Sequence, residues 1–272
     1  MFRREAKVAA LLATLSLPAL AEDQAALMAR SPALVLDGPV APLAAPVVVG
    51  GAGWGPFRRL CVANAMLRPE DGQEVATSPP SCFDVEEARE EGEVWRLSLR
   101  TDPIGGGMRL GFATTRDAAG EVGEVEIAVP AGVDPPSPQG MARLRNVFRA
   151  VVQANGMPRT TVAPGAEFVM PLPLGAVDPD LRVERDGLVC RAEGEATLVG
   201  RRVLVAACAA RGGGEDSPGR MMRIAMAGRF AVDVATGMVL RHGSASWVEL
   251  EADPRGSMGR LEMRGVSRQS LE

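Results

Sequence analysis

The chain has 272 residues, 46% of them hydrophobic but only 4% aromatic, with a formal charge of −4. Lys7 is the only lysine and tyrosine is absent, so the chain after residue 7 has no Schiff-base lysine, Ser-Lys dyad, phosphate-loop lysine or tyrosine acid. The charges are mildly acidic and interspersed, which argues against nucleic acid or an anionic membrane as partner.

The first 21 residues read as a secretory signal peptide. Arg3, Arg4 and Lys7 precede an apolar run from Val8 to Leu17, then Pro18, then Ala19-Leu20-Ala21 before Glu22. Cleavage after Ala21 would deliver the protein to the periplasm. Glu5-Ala6 follows the paired arginines where apolar residues would be wanted, so general secretion fits better than the twin-arginine route. The apolar run is short for a bilayer, and no other segment is long and apolar enough to cross one, so the mature chain is expected to have no transmembrane segment. Residues 22–272 keep 27 of the 30 basic and 33 of the 34 acidic side chains. They suffice for one large β domain or two smaller ones.

Residues 22–56 are rich in Pro, Gly and Ala and read as an extended surface segment with one edge strand at Val47–Val49. Gly50 to Gly55 lacks the lysine and spacing of a phosphate loop, and reads as a turn that buries Trp54. A first β half spans 57–136. It starts with Cys61 and Cys82, whose midpoint falls at Asp71-Gly72, the strongest two-residue hairpin signal. Asp84 to Glu93 is charged and reads as a short helical turn. Trp95, Leu97 and Leu99 then alternate with Arg96, Ser98 and Arg100, and Val125, Ile127 and Val129 alternate with acids, as in an antiparallel meander with one wet face.

A linking helix is predicted over 137–156. Ser137 caps it, Pro138 suits its first turn, and Gly156 lies past its end. Met141, Leu144, Val147, Phe148 and Val151 form its apolar stripe. The second β half, 157–272, contains Cys190 and Cys208, whose midpoint is Val199 beside Gly200. Folding back at each turn pairs Cys61 with Cys82 and Cys190 with Cys208, as structural disulfides in an oxidising compartment. Met222, Ile224, Met226, Phe230, Val232 and Val234 share one face of the run 221–234. Ala235-Thr236-Gly237 is a tight turn, and Gly259–Val266 adds a final strand. The fold class is therefore mainly β: a curved antiparallel sheet, half-barrel-like, with one central helix packed on it. Phe112-Ala113 before Ala119-Gly120 and Phe230-Ala231 before Thr236-Gly237 leave two readings open, a duplication of the halves or two unrelated meanders.

The motifs Val162-Ala163-Pro164-Gly165-Ala166-Glu167-Phe168 and Asp233-Val234-Ala235-Thr236-Gly237-Met238-Val239 carry a resemblance. They resemble the "V-x-x-G-x-x-aromatic" strand and "D-x-x-T-G-x-V" hairpin of uncharacterised exported bacterial β-rich proteins. The curved sheet of those proteins is similar to the half-barrel of periplasmic lipoprotein carriers. The resemblance implies a curved sheet and an apolar cavity, and supplies no catalytic residue.

The chemistry-bearing residues are sparse. His242 is the only histidine. Folding at Thr236 sets it opposite Phe230, with no acid or nucleophile beside it, so a strand histidine fits better than a catalytic one. No ligand spacing repeats, so no metal or cofactor is expected. Glu193 with Glu195, and Glu124 with Glu126, share strand faces and mimic a glycosidase dyad, but alternating acids are also a solvent-facing strand. The remaining signal is the methionine-rich face. Methionine is flexible and polarizable and suits variable apolar ligands, although it also fills irregular cores. The expected ligand site joins Met222, Ile224, Met226 and Phe230 to Leu144, Phe148 and Val151 of the helix. Three functions follow. The first is a non-enzymatic exported protein binding an apolar or lipid-like ligand. The second is an envelope scaffold or partner-binding protein with a filled core, its partner unspecified. The third is a hydrolase using His242.

Overall fold

The computed structural model describes residues 18–272 except 52, 69, 77–78, 104–106, 173–179, 218 and 253–258. The apolar run of the signal-like segment lies outside the described residues.

The elements run α1 (Pro18–Arg30), β1 (Val47–Val49), β2 (Arg59–Leu67), β3 (Glu74–Ala76), β4 (Ser81–Glu91), β5 (Val94–Thr101), β6 (Gly111–Asp117), β7 (Glu126–Ala128) and α2 (Pro138–Ala154). They continue with β8 (Thr160–Val162), β9 (Glu167–Pro171), β10 (Leu181–Val183), β11 (Gly187–Leu198), β12 (Arg201–Ser217), β13 (Arg220–Asp233), β14 (Val239–Leu250) and β15 (Leu261–Leu271). Thirteen strands form one curved antiparallel sheet that does not close into a barrel. Its path is β7-β6-β5-β4-β2-β15-β14-β13-β12-β11-β9, with β3 on β2 and β10 on β12. No described helix is long and apolar enough to cross a membrane.

The local turn chemistry sets the hairpins. Gly72 takes φ 67° in the turn after β2, and Val199 and Gly200 take φ 53° and 68° between β11 and β12. Positive φ at both central residues matches the twist of the flanking strands. Each fold-back brings its cysteines into register, Cys61 opposite Cys82 and Cys190 opposite Cys208, and both pairs are disulfide-bonded. Gly237, at φ 73°, closes the β13–β14 turn as its sequence suggests.

Three elements depart from the sequence reading. Residues 18–30 form a helix, where an extended segment was expected from 22 onward. The run Ala25-Ala26-Leu27-Met28-Ala29 is made of strong helix formers, and Leu27, 4% exposed, docks on Ala225, Ala227, Ala245 and Val266. Residues 84–91 are strand. β4 is held by ladders to β2 and β5, and its charges pair on the surface, Arg89 with Glu87 and Glu91, and Arg100 with Glu86. Val47–Val49 is a strand, but it pairs with β8 in a separate two-stranded ribbon and is largely buried instead of forming a wet edge.

α2 begins at Ser137, whose hydroxyl accepts the Gly140 N–H at 3.2 Å. It lies across the opening of the sheet and touches both β7 and β9, the two ends of the strand path.

Candidate functional sites

Met222, Ile224, Met226, Phe230 and Val232 share a face of β13, because successive side chains of a strand alternate. The structure splits this set. Phe230 and Val232 are buried in a cluster with Val47, Val49, Val162, Phe168 and Met170, so the β1–β8 ribbon covers them. The helix stripe goes elsewhere. Phe148 stacks on Phe112 with ring centroids 4.1 Å apart and planes 9° apart, and Phe83 meets both rings edge-on. Leu144 and Val151 pack on that same cluster, while Val147 is 38% exposed. The expected meeting of Leu144, Phe148 and Val151 with Met222, Ile224, Met226 and Phe230 is thus corrected. The ribbon, assembled from two distant parts of the chain, occupies the place assigned to the helix, and the stacked aromatic pair draws α2 to the other core.

Farther along the same strands the methionine face is less covered. Directly paired residues point to the same side of a sheet. Met222, Leu250 and Leu261 form one cross-strand row, Ile224, Val248 and Met263 the next, and Met226, Ser246, Gly265 and Met66 a third. Leu261 is exposed and the other apolar members are half-buried. A cleft of about 460 Å³ opens beside Met66, Met263 and Val75. The opposite face of these strands is sealed by α1 through Leu27. The sheet here is closed on one side and partly open on the methionine side.

A second cleft, of about 520 Å³, lies at the start of β5 and the end of β6. Trp95 and Arg116 are direct cross-strand partners there, so both side chains point the same way. Trp54, Trp95, Leu97, Arg116 and Met157 line it, with Glu90, Glu93 and Asp117 among its polar residues. Two glycines make room for these side chains. A Cβ on Gly53 would sit 1.9 Å from the Trp95 ring, and one on Gly156 would sit 2.1 Å from the Arg116 guanidinium.

Arg116 is 7% exposed. Its Nη1 lies 3.4 Å from the Met238 sulfur and its Nη2 donates to the Met157 carbonyl at 3.4 Å, while Nε has no partner among the described residues. Burial pulls its pKa below the usual guanidinium value, opposed by the Asp117 charge. The Nε1–H of Trp54, a residue 1% exposed, also lacks a partner among the described residues. Compared with known proteins, the chain matches no family model and no curated protein. The chemistry of its own residues therefore carries the functional reading.

Strand alternation in the sequence carries a signal for Arg116. Phe112, Thr114 and Arg116 lie on the core face of β6, so an arginine was directed inward. Trp54 was placed correctly as buried, but its unpaired N–H depends on tertiary surroundings that no local pattern encodes.

The catalytic candidates assemble no machinery. His242 stands opposite Phe230, with ring centroids 5.0 Å apart, and its Nε2 is 3.4 Å from the Ser267 hydroxyl. No carboxylate pairs with it among the described residues, and burial lowers its pKa to about 4. Glu193 is bound by Arg229 and Glu195 by Arg202, so the two acids are held as separate ion pairs rather than as an acid–base couple. No group of three His, Cys, Asp or Glu side chains that could hold a metal occurs among the described residues.

Proposed function

We propose that the protein is exported to the periplasm and acts there, without catalysis, as a binder of an apolar, lipid-like ligand on its methionine face. The observation that supports this reading is the set of three cross-strand rows running from Met222, Ile224 and Met226 to Met66, partly exposed on a sheet whose opposite face is sealed. A half-open apolar surface of this kind marks an interaction site, and methionine adapts to ligands of varied shape. The signal-like residues 1–21 and the two disulfides support an oxidising compartment.

A second reading is an envelope scaffold with a filled core. Its support is the ribbon packed over Phe230 and Val232, which covers that end of the same face with apolar side chains. Native mass spectrometry of the protein purified from its own periplasm separates the two. A co-purifying lipid mass, lost in Ile224→Glu, supports the binder. Protein that carries no lipid in either form rejects it in favour of the scaffold.

A further inference from the structure

We infer that the Trp54–Arg116 cleft is a second, separate site that binds a small zwitterion, anionic end inward. Arg116 forms no ion pair among the described residues, and its polar contacts are one carbonyl and one thioether, each 3.4 Å away. Burying a guanidinium with no acid in direct contact opposes folding, and a ligand that brings a negative charge to it offsets that cost. Trp54, whose buried Nε1 is also unpaired among the described residues, lines the same cleft. The Arg116 guanidinium calls for a carboxylate, phosphate or sulfonate.

The acids of the cleft decide what else the ligand carries. Glu90 and Glu93 are exposed and form no ion pair among the described residues, and Asp117 is half-buried with one oxygen on the Glu121 N–H. Against Arg116 and Arg159, whose side chain reaches Gly51 at the rim, the three acids leave the cleft a small excess of negative charge, which disfavours a polyanion or a simple anion. A ligand with an anionic end for Arg116 and a cationic end for Glu90 and Glu93 meets both signs. Trp95, half-buried in the same wall, offers a ring face that suits an alkylated ammonium. The volume, about 520 Å³, is that of a small-molecule site.

Isothermal titration of the purified protein tests the inference with phosphocholine, glycine betaine, methyl phosphate and choline, and co-sedimentation tests phosphatidylcholine vesicles. At least one of the two zwitterions should bind at least about tenfold more tightly than methyl phosphate or choline, since each of these satisfies one end alone. Arg116→Met should abolish that binding while raising the melting temperature, because it replaces an unpaired buried charge with an apolar side chain. The exposed double variant Glu90→Gln/Glu93→Gln should fold normally and lose most of the preference for zwitterion over anion. Binding of a free zwitterion without vesicle association identifies a soluble solute, and binding of both identifies a headgroup reachable from a lipid surface. The inference is overturned if neither zwitterion binds, if methyl phosphate or choline binds equally well, or if the double variant keeps the full preference.

Discussion

Replacing Phe148 by alanine tests where α2 packs. Phe148 is 4% exposed, stacks on Phe112 and meets Phe83 edge-on. Truncating such a ring removes its transfer free energy and leaves a cavity, at a cost of about 3–5 kcal/mol. Val147, the residue before it and 38% exposed, should cost below about 1 kcal/mol when cut to alanine. The pairwise terms are more discriminating. A double-mutant cycle between Phe148 and Phe112 should show a coupling of about 0.5–1.5 kcal/mol from the stacked geometry. A cycle between Phe148 and Phe230, which lie in separate clusters, should be additive to within about 0.5 kcal/mol. Urea denaturation followed by circular dichroism supplies all the values, provided the transition is two-state. Coupling to Phe230 with none to Phe112 would refute the packing described here and restore the helix to the methionine face.

Asp233 receives Arg201 at 2.8 and 2.9 Å and the Thr236 N–H and hydroxyl at 2.9 and 2.7 Å, so Asp233→Ala should cost about 3–5 kcal/mol by stranding a partly buried guanidinium and opening the turn. Burial pushes the Asp233 carboxyl up, but the hydrogen bonds from Arg201 and Thr236 outweigh it and the net pKa is lowered. Its stabilisation is therefore complete above the unfolded carboxylate value of about 4 and lost as pH falls through the lower folded value, a loss that acid titration of Asp233→Asn should not show. His242 runs in the same direction for a different reason. Its folded pKa of about 4 lies below the unfolded value near 6.5, so its contribution is complete above about pH 6.5 and lost as pH falls toward 4, and NMR should find the imidazole neutral at pH 6. Leu27→Ala should cost about 2–5 kcal/mol if α1 seals the sheet, and limited proteolysis should then cut first within 24–30. An unchanged stability would detach α1 from the core.

The parts of the fold that were legible in the sequence are those set by neighbours in the chain. Asp71-Gly72 and Val199-Gly200 fix turns, and the turns fix which cysteines meet. Alternation placed Leu97 and Leu99 on the core side, and both are fully buried. The capping serine and the proline fix the start of α2 to within one residue, and Gly156 its end to within two. The failures share a cause. Whether residues 84–91 are strand or helix depends on β2 and β5 on either side, and whether Phe148 meets Phe112 or Phe230 depends on the β1–β8 ribbon. Those contacts join residues far apart in sequence, and periodicity holds no information about them. The candidate sites follow the same rule. The methionine row was readable along one strand, but its extension to Val248, Met263 and Met66 required the register of four strands. Arg116 was readable as inward-facing, whereas its lack of a direct ion pair among the described residues depends on neighbours far apart in sequence.

The last strand in the chain lies in the middle of the sheet. β15 sits between β14 and β2, and the Glu272 N–H bonds back to the Arg59 carbonyl at 2.9 Å. The stretch from β2 to β7 and the stretch from β9 to β14 are thus joined by a strand that follows both of them in the chain. Before residues 261–271 arrive, β2 and β14 each present an unpaired edge, and such edges invite pairing with other chains. The complete sheet cannot form until residues 261–271 are available to pair with both stretches. Joining the stretches is a late step taken against a large loop-closure entropy, so a chaperone that shields the β2 and β14 edges during that interval would raise the yield more than any stabilisation of the finished sheet.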